Sequence, residues 1–423
     1  MAQGRILIIG GRIIDPCNKL DEIGDVLVEN GLVVACGGKI DRDDCNEIID
    51  AAGMWVVPGL IDLHVHFREP GFEHKEDMAS GAEAAALGGF TTVCIMANTK
   101  PVVDNARLVH QLKKRAAEIG LCDILSLGAI SEGLAGKKPA ELEEMGKAGV
   151  CGFSDDGFTV IDTELYRRAM DISAGLGLPI FAHCEDLELE DSVAAEESIV
   201  ARDIEIAGKA GVHLHICHAS TAASVEHIRR AKKNGLRVTA EVAPHHFALC
   251  VDDIPGTPDG LNTNFKMAPP IRSRADMLAM QSALADGTID AIATDHAPHH
   301  IDEKNLGWMG GAPNGIIGLE TSVAVSITHL VQTGILTPTQ LVDRMSAAPA
   351  RILGSSKGQL GIHAAADITI IDPNAKCTVS PDKFASKARN TPFGGMELTG
   401  KVIHTIQNGR VIVRNSTIRR GDY

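Results

Sequence analysis

The chain has 423 residues, of which 44% are hydrophobic and 22% charged, a globular composition that excludes a disordered or fibrous protein. Its net charge of −15 disfavours nucleic acid and anionic lipid as partners, because a field of that sign repels both. The sequence has no apolar run of about eighteen residues and no signal-peptide pattern at its start. Its ten cysteines form no CxxC pair. We therefore predict a cytoplasmic protein with buried, reduced thiols.

Between residues 60 and 295, eight apolar runs of strand length alternate with helix-compatible stretches. Apolar residues at successive positions are typical of strands buried on both faces of a parallel sheet. The runs cover residues 60–67, 91–97, 123–129, 150–156, 179–185, 212–218, 236–242 and 289–295. The predicted helices cover residues 75–87, 105–119, 162–174, 196–210, 221–234 and 273–285, and glycines such as Gly120 and Gly175 follow several of them. Eight strand–helix units favour a closed (β/α)8 barrel.

The two ends of the chain have a different pattern, with short strands separated by turns. Asn30-Gly31 and Asn408-Gly409 are turn dipeptides typical of β-hairpins. We therefore predict two domains in an α/β protein. Residues 1–56 and 365–423 together form a small β domain, and residues 57–364 form the barrel inserted between its two halves.

Residue types that bind metals stand at the carboxyl ends of five predicted strands. They are His64, His66, Asp155, Asp156, His183, His218 and Asp295. The two-residue period of a strand places His64 and His66 on the same face. The carboxyl ends of barrel strands meet at one face, where active sites of TIM barrels lie. Imidazole and carboxylate are ligands of divalent metals such as zinc, so the sequence predicts a metal site there.

Four further histidines lie near these strands. His213 and His215 share a face of the sixth run but do not reach its end, so we leave them outside the predicted site. His245 and His246 follow the seventh run. The sequence leaves open whether these two histidines contact and orient the metal ligands without binding the metal themselves.

Eight motifs occur in the order found in one known family, from about residue 57 to residue 413. They are VPGLIDLHVHFREPGFEHKED, MANTKPVVD, GFSDDG, AHCED, HICHAST, AEVAPHH, IATDHAPHHIDEK and PFGGMELTGKVIHTIQNGRVI. The sequence resembles dihydroorotases of the bacterial class I type, in the amidohydrolase superfamily. The resemblance implies a distorted (β/α)8 TIM barrel with a small β-sandwich domain. It also implies an enzyme that hydrolyses cyclic amides, interconverting N-carbamoyl-L-aspartate and (S)-dihydroorotate in pyrimidine biosynthesis.

The resemblance further implies a role for each residue of the site. His64 and His66 would hold one zinc ion, and His183 and His218 would hold a second. Asp156 would bridge the two ions, because its spacing to His183 fits the family better than that of Asp155. Asp295 would contact the first zinc and serve as general base and acid. The substrate carboxylate would be held by Arg68, Asn98 and His299. We predict that His66, Asn314 and Gly315 also contact the substrate.

The chain departs from the family pattern near the substrate. Ala268 stands where relatives have an asparagine that contacts the substrate, and Asn314 replaces an aromatic residue. The segment between His183 and His218 is also shorter than is typical. One hypothesis is that Asn314 hydrogen-bonds the substrate ring in place of the missing asparagine. The other is that an ordered water fills the space beside Ala268 while Asn314 faces solvent.

Two other functions stay open at this point. One is another cyclic amidase, such as an allantoinase or hydantoinase, and the other is an inactive dihydroorotase-like partner of aspartate transcarbamoylase. Asp156, in place of the carboxylated lysine of many relatives, weighs against the first. The presence of every predicted metal ligand weighs against the second. Relatives associate with themselves or with the transcarbamoylase, so the oligomeric state is not predicted.

Overall fold

A computed structural model describes residues 4–42, 44–189, 192–258 and 260–419 of the chain. The chain starts with five short strands. They are β1 (Ile6–Asp15), β2 (Leu20–Glu29), β3 (Leu32–Cys36), β4 (Glu47–Asp50) and β5 (Trp55–Pro58). β1 pairs antiparallel with β2 and parallel with both β4 and β5.

Strands and helices alternate in the central part of the chain. The strands are β6 (Leu60–Val65), β7 (Phe90–Ile95), β8 (Asp123–Ser126), β9 (Ile180–Ala182), β10 (Leu214–Ile216), β11 (Val238–Val242), β12 (Gly256–Thr257), β13 (Gly260–Leu261) and β14 (Ala291–Ile292). The helices are α1 (Met78–Leu87), α2 (Ala106–Ile119), α3 (Leu142–Ala148), α4 (Thr163–Leu176), α5 (Val193–Ala210), α6 (Ala222–Lys233), α7 (Pro244–Ala248), α8 (Arg274–Asp286), α9 (Ile301–Lys304), α10 (Ser322–Ser326), α11 (Pro338–Val342) and α12 (Ala348–Ile352). The predicted helices correspond to α1, α2, α4, α5, α6 and α8.

The parallel strands close into a barrel through three single-residue β-bridges. They form two partial sheets, β6–β7–β8 and β9–β10–β11–β14. Phe153 joins the two, because it pairs with Gly128 on one side and Ile180 on the other. On the opposite side, His296 pairs with Val65 and brings the last strand beside the first. All eight predicted runs therefore lie in a distorted (β/α)8 barrel, and the fourth run joins its two neighbours through the β-bridges of Phe153.

Side-chain caps explain where the barrel helices begin. Asp77 and Asn105 accept hydrogen bonds from the first backbone N–H groups of α1 and α2, which have no partner within the helix. At the other end, Gly120 takes a left-handed conformation with φ 63° and ends α2. α4 does not end at Gly175, as the sequence suggested, but at Leu176, where Gly177 takes the left-handed conformation.

The remaining strands complete a β-sandwich domain built from both termini. They are β15 (Ile368–Thr378), β16 (Glu397–Gln407), β17 (Arg410–Arg414) and β18 (Thr417–Ile418). β15 pairs with β5, so nine strands form one sheet that encloses a core of aliphatic residues from both ends of the chain. At the Asn30–Gly31 and Asn408–Gly409 turns both residues have positive φ, which confirms the two predicted hairpins.

The cysteines and the helices test two expectations from composition. None of the ten cysteines, all of which the structure describes, is in a disulfide bond, and five of them are buried. Cys17 is exposed, so burial of every thiol was too broad a prediction. Within the described ranges, no helix combines the length and the apolar character needed to cross a lipid bilayer.

Candidate active site

The six predicted ligands are all buried and form one cluster at the carboxyl ends of the barrel strands. They are His64 and His66 at β6, Asp156 after the Phe153 bridge, His183 after β9, His218 after β10 and Asp295 after β14. The carboxylate of Asp156 lies at their centre. Its Oδ1 is 3.3 Å from Nε2 of His64 and 3.5 Å from Nδ1 of His183. The same oxygen is 3.5 Å from Nε2 of His218, and Oδ2 is 3.5 Å from Nε2 of His66.

Asp295 approaches the same group from the last strand. Its Oδ1 lies 3.1 Å from Nε2 of His66 and 3.5 Å from Nε2 of His64. Asp295 and His218 both have positive φ, of 46° and 33°. A non-glycine residue in this region is under backbone strain, and such strain is concentrated at functional sites.

In three of the four histidines, one ring nitrogen contacts a side-chain oxygen outside the cluster. Each of these contacts occupies one ring nitrogen and leaves the other directed toward the cluster, an arrangement typical of metal-binding histidines. The three contacts are His64 Nδ1 with Glu241 Oε1 at 2.8 Å, His66 Nδ1 with Asn98 Oδ1 at 3.0 Å, and His183 Nε2 with Glu185 Oε2 at 3.1 Å.

Sequence reasoning missed Glu185, Glu241 and His215. His215 was left outside the site, yet its Nε2 lies 3.0 Å from Oε2 of Glu241. A signal was available for Glu241, because it is a carboxylate between Ala240 and Val242, near the carboxyl end of the predicted strand LRVTAEV. Glu185 follows His183 by two residues, which is a weaker signal.

Asp155, His245 and His246 take other positions. Asp155 accepts hydrogen bonds from the backbone N–H groups of Ile130 and Ser131, at 2.7 Å and 3.1 Å. The ring of His246 donates from Nε2 to the carbonyl of Pro269 at 3.0 Å. Burial lowers the pKa of His246 to about 3 and holds that of His245 well below its usual range. Both rings are therefore neutral.

The two acids of the cluster are anionic. Burial alone would raise the pKa of Asp295, but His64 and His66 outweigh it and hold this pKa well below its usual range. The pKa of Asp156 is likewise held low, because its neighbouring imidazoles outweigh the effect of burial. Asp156 Oδ1 and His64 Nε2 are buried without a hydrogen-bond partner among the described residues. Carboxylates and imidazoles arranged in this way form a donor set for divalent cations.

A cavity of about 450 Å³ opens beside the cluster. Besides the ligands, its walls include Arg68, Asn98, Met267, Ala268, His299 and Asn314. The Nε–H of Arg68 donates to the carbonyl of Pro298 at 3.2 Å. Burial lowers the pKa of Arg68 to about 10, so its guanidinium stays charged at neutral pH. The cavity therefore contains a cation suited to an anionic substrate.

His299 and Asn314 line this cavity, and Gly315 lies directly behind the ring of His299. The ring of His299 lies 2.9 Å from the backbone carbonyl of Asn314 through Nε2 and 3.3 Å from Nζ of Lys75 through Nδ1. Burial lowers the pKa of His299 to about 2, so the ring is neutral. A Cβ at Gly315 would lie 2.5 Å from the carbonyl oxygen of Ala297 and from the ring of His299. Only glycine fits behind His299.

Comparisons with known sequences agree with this geometry. The amidohydrolase family matches residues 55–412. The chain is 47% identical to the dihydroorotase of Pelobacter propionicus, over 97% of this chain and 99% of that protein. It is 46% identical to the dihydroorotase of Geobacter metallireducens, with the same coverage of both chains.

Solved structures with the same fold include two hydantoinases. The L-hydantoinase (dihydropyrimidinase) of Arthrobacter aurescens has a TM-score of 0.89 at 26% identity, over 98% of this chain and 97% of that one. The D-hydantoinase of Bacillus sp. AR9 has a TM-score of 0.87 at 26% identity, over 98% and 96%. With a family match over most of its length and relatives above 40% identity, this chain belongs to the amidohydrolase family, in the branch of the dihydroorotases.

Proposed function

We propose that the chain is a zinc-dependent dihydroorotase, which interconverts N-carbamoyl-L-aspartate and (S)-dihydroorotate in the synthesis of pyrimidines. The observation that carries this proposal is the position of Asp156. Its carboxylate lies within 3.5 Å of four imidazoles, beside a cavity that also contains the guanidinium of Arg68. The relatives named dihydroorotase support the same assignment.

The donor set fits two divalent cations. A buried carboxylate oxygen and a buried ring nitrogen without a hydrogen-bond partner, as at Asp156 and His64, are costly unless a cation lies between them. Imidazole nitrogen and carboxylate oxygen are ligands that zinc prefers. We assign His64, His66 and Asp295 to one zinc ion, His183 and His218 to a second, and Asp156 to both.

Asp295 carries the proton in this proposal. Bound zinc supplies Lewis acidity, which polarises a carbonyl group and lowers the pKa of water. The carboxylate of Asp295 is anionic and faces the cavity, so it accepts the proton of the attacking water. It then returns that proton to the ring nitrogen as the amide bond breaks. In the synthetic direction the same carboxylate works in reverse.

Arg68 holds the substrate carboxylate in this proposal. Its planar guanidinium matches a carboxylate through two parallel hydrogen bonds, which a protein of net charge −15 needs for an anionic substrate. Asn98 is a second proposed contact of the substrate. It lines the cavity, and its Nδ2 donates to Oδ2 of Asp156 at 3.3 Å. The other proposed substrate contacts are His66, His299, Asn314 and Gly315.

Metal analysis combined with substrate assays tests the proposal. Protein purified without chelator should hold close to two zinc ions per chain and hydrolyse dihydroorotate. A chelator should abolish turnover and added zinc should restore it. Full activity in protein that holds no transition metal would contradict the metal assignment.

The same assays separate the other functions. Preferred turnover of hydantoin, dihydrouracil or allantoin over dihydroorotate would identify another cyclic amidase, which the hydantoinase fold leaves open. Protein loaded with zinc that turns over none of these substrates would instead be an inactive partner of aspartate transcarbamoylase.

Three coarser features complete the proposal. We propose that residues 1–56 and 365–423 form the small domain and residues 57–364 the barrel. The pairing of β5 with β15 supports the union of the two ends, and it extends the first segment to Pro58. We propose a cytoplasmic location, supported by ten cysteines that form no disulfide bond. We also propose association of the chain with itself or with aspartate transcarbamoylase, which light scattering with and without the transcarbamoylase would test.

A further inference from the structure

A row of polar side chains runs through the barrel interior behind His64. Glu241, on β11, is fully buried and joins two imidazoles. Its Oε1 lies 2.8 Å from Nδ1 of His64, and its Oε2 lies 3.0 Å from Nε2 of His215. Burying a carboxylate is costly unless its oxygens are paired. Here both oxygens are paired, although neither Glu241 nor His215 has a part in the reaction proposed above.

The row continues away from the cavity. Nδ1 of His215 lies 2.9 Å from Oγ1 of Thr239, and the same hydroxyl lies 2.8 Å from Nε2 of His213. Strand geometry explains this order. The two-residue period puts His213 and His215 on one face, and likewise Thr239 and Glu241. β10 and β11 pair in parallel with His215 opposite Thr239, so the four side chains form one ladder.

With one proton on each imidazole, the donors and acceptors of this row fit one arrangement. An ionised Glu241 can only accept, so His64 donates to it from Nδ1 and His215 from Nε2. The Nδ1 of His215 is then an acceptor, and it takes the O–H of Thr239. His213 donates from Nε2 to the same hydroxyl oxygen. Burial lowers the pKa of His213 to about 4, which agrees with a neutral ring.

This arrangement fixes the tautomer of His64. With its proton on Nδ1, the ring has a lone pair on Nε2, which lies 3.3 Å from Asp156 and 3.5 Å from Asp295. Metal ligation requires a ring nitrogen without a proton. We propose that Glu241 and His215 are positioning residues that hold His64 ready to bind metal through Nε2. This inference rests on the proposed function, because it takes the cluster to be a metal site.

The inference predicts a graded effect along the row. Loss of a side chain that orients a metal ligand typically weakens metal affinity by about 10- to 100-fold. Glu241 contacts the ligand, His215 holds Glu241, and Thr239 lies one contact further away. If the three side chains only filled space, the loss of zinc affinity would not decrease in the order Glu241, His215, Thr239.

Zinc titration of the chelator-treated full chain against a chelating dye measures this effect. Glu241→Gln keeps the shape but removes the charge and one acceptor, so one of the two zinc affinities should fall by about 10- to 100-fold. His215→Leu should give an intermediate loss, and Thr239→Val should bind zinc almost like the wild type. The zinc ion assigned to His183 and His218 should be affected least.

Nitrogen-15 NMR of histidine-labelled, zinc-loaded protein reads the tautomer directly. Wild-type His64 should have its proton on Nδ1, and Glu241→Gln should shift or broaden that signal. Asp15→Asn is the matched control, because Asp15 is also a fully buried carboxylate but lies in β1, where it accepts the N–H of Leu360 at 2.6 Å. It should lower stability and leave both the zinc affinity and the His64 signal unchanged.

The outcomes separate this inference from the proposed function. Wild-type zinc affinity and an unchanged His64 signal in Glu241→Gln would overturn the inference and leave the function intact. If Glu241→Gln does not fold, wild-type zinc affinity in His215→Leu would overturn it equally. A wild-type protein that binds no zinc would overturn the proposed function, and the inference with it.

Discussion

His66 and Asp295 meet at 3.1 Å between Nε2 and Oδ1, although they follow the first and the last strand of the barrel. The contact depends on barrel closure, because His296 pairs with Val65 and sets the two strand ends side by side. The anionic carboxylate of Asp295 therefore borders both the cluster and the substrate cavity. Asp156, the other carboxylate of the cluster, follows the fourth run instead.

Replacement of Asp295 by asparagine tests its proposed role in proton transfer. Asp295→Asn keeps the shape of the side chain but removes the proton acceptor. We expect kcat to fall by on the order of 100-fold or more in both directions of the reaction, which is the usual scale of general acid–base catalysis. Metal content should be measured on the same samples. Near-normal turnover with intact metal would show that another group moves the proton.

The barrel could be predicted from sequence because a parallel sheet covered on both faces leaves continuous apolar runs. The fourth run shows the limit of that argument. Its composition indicates a strand, but only Phe153 forms ladder pairs, with Gly128 and Ile180. Where pairing stops depends on the backbone of the neighbouring strands, which the pattern of one run does not contain.

The positions of the predicted ligands could be anticipated because they follow strand ends, which meet at one face of a barrel. Glu241 and His215 lie inside strands, and their contact depends on the parallel register of β10 and β11. A register between two strands distant in sequence is a property of the folded sheet. The carboxylate of Glu241 is visible in the sequence, but for this reason its contacts with His215 and His64 could not be predicted.

Substitution of Arg68 tests the binding of the substrate carboxylate. Arg68→Met keeps an apolar stem of similar length and removes the guanidinium. A hydrogen bond to a charged group contributes about 1.5–3 kcal/mol, so kcat/KM for dihydroorotate should fall by roughly 10- to 150-fold. The control is dihydrouracil, which lacks the carboxylate, and its slower turnover should change little. An equal loss for both compounds would mean that Arg68 acts on the site as a whole.

The buried Lys304 makes the free energy of unfolding depend on pH. Its ammonium group is buried and donates to the carbonyls of Pro313 and Gly315, at 3.0 Å and 3.2 Å. Burial lowers its pKa from 10.5 to about 7. Between these two values the unfolded chain binds more protons than the folded chain. The contribution of Lys304 to the free energy of unfolding therefore rises with pH across this window.

Denaturant unfolding of the wild type and Lys304→Met at several pH values measures this contribution. The difference in unfolding free energy, wild type minus variant, should grow from about pH 7 to about pH 10, between the two pKa values. Lys209→Met is the control, because Lys209 pairs with Glu205 on the exposed face of α5. Its difference from the wild type should stay nearly constant. A Lys304→Met difference that does not change with pH would contradict the lowered pKa.

Asn314 borders the cavity together with Ala268, at the two positions where the chain departs from its family. Its backbone carbonyl lies 2.9 Å from Nε2 of His299, whereas the residue as a whole is exposed. This position is compatible with a side chain that turns inward to a bound substrate and with one that faces solvent. In the second case an ordered water beside Ala268 replaces the missing asparagine.

Asn314→Ala and Ala268→Asn separate these two hypotheses. The contact of His299 with the backbone carbonyl survives in Asn314→Ala, so the variant removes only the side-chain amide. If that amide hydrogen-bonds the substrate ring, kcat/KM for dihydroorotate should fall about tenfold, which corresponds to roughly 1.4 kcal/mol. Ala268→Asn in the same background should then restore part of the loss, because it returns an amide to the lining of the cavity. Unchanged kinetics in Asn314→Ala would leave the ordered water as the partner of the substrate.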